Sequence, residues 1–136
     1  VPTTPSEIAE LARFRSPMNE VTVMFRRDAV LSAGNYRPLD RMEDYDLWVR
    51  LLVDGATLAN VSDVLVKVRA GEQMYHRRGG FEYAREEIRQ QIAFWRLGFV
   101  GFGRMLLNLL LRFPVRLLPN RVRGWLYRRF LRSTPS

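Results

Sequence analysis

The stretch "RMEDYDLWVRLLVDG" (41–55) constrains the fold more than any other part of the chain. Leu47, Trp48, Leu51 and Leu52 fall on one stripe of a helix from Glu43 to Asp54, and Glu43, Asp46, Arg50 and Asp54 on the opposite one. A stripe of one tryptophan and three leucines is expected to face the core. Gly55 stands where a helix closes on a left-handed residue. The first turn holds Glu43, Asp44 and Asp46. The helix dipole favours acids there by about 0.3–1 kcal/mol each. The same position also keeps an aspartate ionised and fixed in direction, which is what a general base requires. Helix physics leaves both readings open.

Around this helix the pattern is mixed. "PSEIAELARF" (5–14) predicts a short helix capped by Ser6 and ended before Pro17. "EVTVMF" (20–25) is β-branched and roughly alternating, predicting a strand with Val21, Val23 and Phe25 on one face. "RRDAVLSAG" (26–34) predicts a short helix starting near Asp28 and closed by Gly34, followed by a loop over 35–41. Residues 56–62 and 63–69 read as two short strands or one bent strand. A polar loop spans 71–80, and helices are predicted over 81–97, 102–113 and 119–132. Strands in the first half and helices afterwards make the expected class α+β: a partial sheet of few short strands followed by C-terminal amphipathic helices. The expected organisation is residues 1–70, a flexible loop over 71–80, and a helical, basic segment over 81–136.

Composition narrows the function classes. At 136 residues and 47% hydrophobic, the chain supports one core. It has no cysteine, which excludes disulfides and thiolate metal sites and fits a reducing compartment, and its single histidine, His76, excludes a site built on two imidazoles. The net charge of +8 is unevenly placed: residues 1–87 carry 12 basic and 14 acidic side chains, whereas 88–136 carry 10 arginines and no acid. Arg104, Asn108, Arg112 and Arg116 recur every four residues along an otherwise Leu/Met/Phe surface. Arg121, Arg128, Arg129 and Arg132 similarly oppose Val122, Trp125, Leu126 and Phe130. Such a pattern points to an anionic partner, either nucleic acid or a phospholipid surface, and the large apolar faces favour the surface. The longest apolar region, 97–113, is broken by Arg104 and Asn108 and falls short of the roughly 20 residues of a membrane-crossing helix. The opening "VPTTPSEIAE" has no signal-peptide pattern and no initiator methionine, so the chain is expected to begin inside a longer protein.

Three motifs stand in order: "TVMFRR" (22–27), "GNY" (34–36) and "EDYDLWVRL" (43–51). Together with the surrounding run 16–69 they resemble the second half of a family 2 glycosyltransferase of the GT-A fold, of the bacterial surface-polysaccharide type. "GNY" takes the place of the usual Gly-Gly-Tyr, and "EDYDLW" matches the family's Glu-Asp motif. The resemblance implies that Asp44 is the base of an inverting sugar transfer and that Glu43 lies beside it, orienting the acceptor or binding the donor sugar. It places Asn35 and Tyr36 on a loop facing the sugar, Arg77 and Arg78 toward a diphosphate, and His76 toward a metal. Asp46 is left as an ordinary surface acid and Trp48 as core. Two departures stand out: "NE" (19–20) replaces a histidine seen in many relatives, and the metal-holding Asp-X-Asp motif is absent, since "DYD" (44–46), which has its spacing, lies in the helix that matches the Glu-Asp motif. The implied divalent metal (Mg or Mn) and the nucleotide-sugar donor are therefore assigned mostly to residues outside this chain, which alone would be inactive. The implied partners are a nucleotide-sugar donor, a glycan or lipid-linked acceptor, an anionic membrane surface and the missing N-terminal half, with no nucleic acid. The implied location is cytoplasmic, on the inner face of the membrane. The alternative is a non-catalytic basic amphipathic module that binds membrane or nucleic acid.

Overall fold

The structure, a computed structural model, describes residues 2–67 and 80–117, the last three of them by their backbone alone. Helices α1 (Pro5–Ala12), α2 (Arg27–Ser32), α3 (Glu43–Val53), α4 (Phe81–Arg96) and α5 (Phe102–Leu117) follow one another, with a 3₁₀ turn at Glu20–Thr22. Among the described residues there is no strand, which overturns the α+β expectation of a partial sheet. Alternating β-branched residues fit a pleated, half-buried surface, but an extended segment becomes a strand only beside another one. Here "EVT" instead curls into the 3₁₀ turn, with the Thr22 amide and hydroxyl both donating to the Asn19 carbonyl at 2.9 and 2.8 Å. Val23 packs inward and the Phe25 ring lies 6.5 Å from that of Trp48, whereas Val21 is exposed and Met24 almost fully so. Residues 56–67 likewise form no strand, leaving Val61, Val64 and Leu65 exposed.

The chain divides into two compact units, Val1–Lys67 with Ala93–Gly101, and Val68–Ile92 with Phe102–Ser136. In the first, α1 is capped by Thr4 rather than Ser6: Thr4 Oγ1 donates to Glu7 at 2.7 Å and Pro5 opens the helix. α2 closes as the sequence predicts. Gly34 (φ 83°) and Asn35 (φ 58°) turn left-handed, and their amides donate back to Leu31 and Val30 at 3.0 and 2.8 Å. Gly55 (φ 84°) ends α3 in the same way. The core gathers Leu47, Trp48 and Leu51 of α3 against Ile8 of α1, Val30 and Ala33 of the α2 end, and Leu58.

α3 is buried on more sides than its apolar stripe implies: every residue from Tyr45 to Leu51 is buried. The Tyr45 hydroxyl donates to the Ala12 carbonyl at 2.6 Å, and its ring meets Phe94 edge-on at 4.9 Å. Asp46 and Arg50, predicted on a solvated face, are 3% and 4% exposed and pair at 2.8 Å.

In the second unit only Arg104 of the Arg104–Asn108–Arg112 line is exposed, and the other two turn inward. Asn108 is fully buried and donates to Gln91 at 2.9 Å, and Arg112 pairs with the buried Glu87 at 2.6 Å. Leu106, Leu107, Leu110 and Leu111 are left exposed, as are Phe102 and Arg104. α5 also runs through Pro114 to Leu117, past the predicted end at 113. So near a helix end proline forfeits a single backbone bond, and the last turn survives it. The predicted helix over 119–132 and the loop over 71–79 lie outside the described residues.

Removing the Tyr45 hydroxyl orphans a buried carbonyl. Tyr45→Phe is expected to cost about 1–3 kcal/mol in denaturant unfolding.

Candidate active site

The acids stand at an unusual helix start. Met42, the residue before α3, is left-handed (φ 60°, ψ 25°), and no side chain caps the helix there. A bulky residue in that region costs on the order of 1 kcal/mol or more. The Asp46 amide donates to the Met42 carbonyl at 3.0 Å, which begins the ladder directly behind the left-handed residue. Glu43 and Asp44 are thereby projected from the first turn, both half-buried.

Two other segments bring groups to these acids. Glu20 comes from the 3₁₀ turn and Tyr36 from the loop after α2. Burial pushes the Asp44 carboxyl above its ordinary value, and the charges of Glu20 and Glu43 push it further, while the Tyr45 amide hydrogen-bonds it and opposes the rise. The Tyr36 phenol is raised too, by burial first, then by the charge and hydrogen bond of Glu20, then by the charges of Asp44 and Glu43. Three carboxylates and one phenol therefore act on one another, with half-buried Asp44 feeling the other two acids. An aspartate of this kind is a stronger proton acceptor than a solvated one.

Of the residues singled out in the sequence, Asp44, Glu43 and Tyr36 come together. Asn35 enters through its backbone, its carbonyl accepting from Arg50 Nη2 at 2.7 Å. His76, Arg77 and Arg78 lie outside the described residues. Two residues emerge only from the structure. Glu20, placed on a strand by its alternating neighbours, faces the Tyr36 hydroxyl. Asp46, read as a surface acid, lies between Arg50 at 2.8 Å and Arg37 at 3.8 Å. The four-residue spacing of Asp46 and Arg50 was a legible signal for a pair, though not for its burial. Among the described residues no three or more His, Asp or Glu converge closely enough to hold a metal ion, so Glu20, Glu43 and Asp44 do not form a metal cage.

The raised Asp44 carboxyl predicts a pH-dependent cost. The group favours the folded state while protonated, and that contribution is lost as the pH rises from the ordinary value of 3.8 through the raised native one. Asp44→Asn is therefore expected to unfold at a higher temperature than the wild type at neutral pH. The gap should close below the ordinary value; thermal melts across a pH series read it directly.

No protein-family model matches the chain, and no solved structure matches it. Curated proteins do. It is 40% identical over 127 residues to the amylovoran biosynthesis glycosyltransferase AmsE of Erwinia amylovora, covering 93% of this chain and 48% of that protein. It is 40% identical over 133 residues to an uncharacterized glycosyltransferase of Haemophilus influenzae, covering 98% of this chain and 49% of that one. It is 35% identical over 127 residues to the UDP-Gal:alpha-D-GlcNAc-diphosphoundecaprenol beta-1,3-galactosyltransferase of Escherichia coli, covering 93% and 46%. The chain spans about half the length of the curated relatives it matches. Over nearly all of its own length it is similar to part of proteins that are named as glycosyltransferases.

Proposed function

We propose that this chain is the acceptor-side, base-bearing part of a family 2 glycosyltransferase of the inverting type, with Asp44 as the general base. The carrying observation is half-buried Asp44 at the start of α3, set among Glu20, Glu43 and Tyr36, in a chain 35–40% identical to glycosyltransferases. In the proposed reaction an acceptor hydroxyl oxygen attacks the anomeric carbon of a nucleotide sugar. The bond from that carbon to the phosphate oxygen breaks, the nucleoside diphosphate leaves with the electron pair, and Asp44 takes the hydroxyl proton. Glu43 and Tyr36 orient the acceptor sugar by hydrogen bonds. The donor site, with its divalent metal, is assigned to the rest of the enzyme, assisted by His76, Arg77 and Arg78. The name of the Escherichia coli relative supports a nucleotide-sugar donor and a lipid-linked acceptor. In the full-length enzyme, Asp44→Asn is expected to lower kcat by about 10²–10⁴-fold with nucleotide-sugar affinity unchanged. Single-turnover assays beside donor titration measure both, and a kcat within a factor of about two of wild type rejects the assignment.

The second unit supports a place at the inner face of the membrane, where a lipid-linked acceptor is presented. Its polar side chains pair inside while Leu106, Leu107, Leu110 and Leu111 face out, and the sequence from 88 onward has arginines and no acid. No helix among the described residues is long and apolar enough to cross a membrane. The full-length protein is expected to bind vesicles containing phosphatidylglycerol, and Leu107→Asp with Leu110→Asp to weaken binding about tenfold or more in co-sedimentation. Salt-sensitive binding to duplex DNA without vesicle binding would favour the nucleic-acid alternative instead.

A further inference from the structure

α3 carries a buried ion pair that the proposed chemistry does not use. Arg50 is 4% exposed, and each nitrogen of its guanidinium has an assigned partner. Nε donates to Asp46 Oδ2 at 2.8 Å, Nη1 to the Ala33 carbonyl, and Nη2 to the Asn35 carbonyl at 2.7 Å. The other Asp46 oxygen, Oδ1, faces Arg37 Nη1 at 3.8 Å. Burying two charges costs several kcal/mol each, and an apolar pair of the same size serves a core at least as well. Stability alone therefore does not explain the pair. What it holds is specific.

The two carbonyls that Arg50 grips flank Gly34, on the left-handed turn that ends α2. The guanidinium lies so near this turn that a Cβ on Gly34 would meet Nη1 at 3.7 Å. Tyr36 is the next residue, and Arg37 after it is caught by Asp46. Tyr36 is thus bracketed by two neighbours, Asn35 and Arg37, both tied to side chains of α3. Asp44 lies two residues before Asp46 on that helix, and a helix is rigid over so short a distance.

We infer that Arg50 and Asp46 form a positioning clamp, which holds the loop bearing Tyr36 against Asp44 and so builds the acceptor-side site. The inference rests on the reading of Asp44 as the base. The guanidinium's planar fork reaches two carbonyls and a carboxylate at once; a lysine ammonium, a single point charge, cannot reproduce that geometry. The groups around Asp44 are Glu20 from the 3₁₀ turn, Tyr36 from the loop and Glu43 from α3 itself. If the loop is released, Tyr36 leaves Glu20 and Asp44 becomes more solvated.

The test uses Arg50→Lys and Asp46→Asn in the full-length enzyme, with tyrosine ¹³C NMR titration and the pH dependence of kcat/KM. Tyr36 is expected to titrate above the ordinary tyrosine range in the wild type and to return toward it in both variants. The acid limb of kcat/KM should move to lower pH, and kcat should fall about 10²-fold, the scale of a small misplacement of reacting groups. Donor KM should stay within about twofold of wild type. An unchanged Tyr36 titration and acid limb, with only a lower melting temperature, overturns the clamp and leaves Arg50 as packing. If Arg50→Lys does not fold, Asp46→Asn, nearly identical in shape, decides alone by the same two readouts. A displaced Tyr36 titration together with full turnover by Asp44→Asn would keep the clamp and reject the base, so the two claims fail separately.

Discussion

Burying α3 on nearly every side is the constraint on which the first unit depends. A helix with one buried stripe can leave its polar side chains in water, but α3 is enclosed from Tyr45 to Leu51. Each hydroxyl and charge on it must then find a partner inside, because an unmet one costs more than its hydrogen bond contributes, although the indole N–H of Trp48 is buried without one. Tyr45 meets the Ala12 carbonyl, Asp46 meets Arg50 and Arg37, and Arg50 meets the end of α2. These polar contacts bind α1, the α2 turn and α3 together. Leu47, Trp48 and Leu51 supply the apolar area, and the buried polar groups supply the orientation.

The start of the same helix runs against local stability. It lacks a side-chain cap, follows a left-handed methionine and sets Asp44 close to Glu20 and Glu43. None of these choices improves the fold. Strained backbone and crowded like charges persist where surrounding packing holds them, and they cluster where chemistry is done. The contrast within one helix is informative. Asp46 is neutralised by two arginines, whereas Asp44, two residues earlier, sits among acids and a phenol.

The second unit reverses the usual arrangement of a water-soluble helix pair. Glu87 with Arg112 and Gln91 with Asn108 occupy the interior, and four leucines of α5 face out. In water such a face loses the burial that normally drives helix pairing. On an interfacial surface the same face is an asset, since it gains apolar contact while Arg112 pairs with Glu87 and Asn108 with Gln91 inside.

Much of the helical content was legible because it is a local property. The 3.6-residue periodicity of 43–54, the acids at its start and Gly34 and Gly55 at two helix ends specify α2 and α3 from neighbouring residues alone. The burial of Trp48 followed from the same stripe. The Glu-Asp motif marked Asp44 and Glu43 as candidates, but only by resemblance to other proteins. What failed was non-local. The β-branched run at 20–25 and the segment at 56–67 state a preference for extended backbone, and whether a strand forms depends on a neighbour that the described residues do not supply. Whether Asp46, Arg50, Asn108 and Arg112 face water or the interior depends likewise on what packs against the polar stripe, and periodicity names the stripe without naming its surroundings. Glu20 is far from Asp44 along the chain, and only tertiary structure brings its charge to it. The sequence by itself determined where α2 and α3 close, at Gly34 and Gly55, because capping and periodicity act over a few residues. The tertiary structure alone decided which carboxylate is neutralised and which is left crowded among acids, because burial and electrostatics act through space.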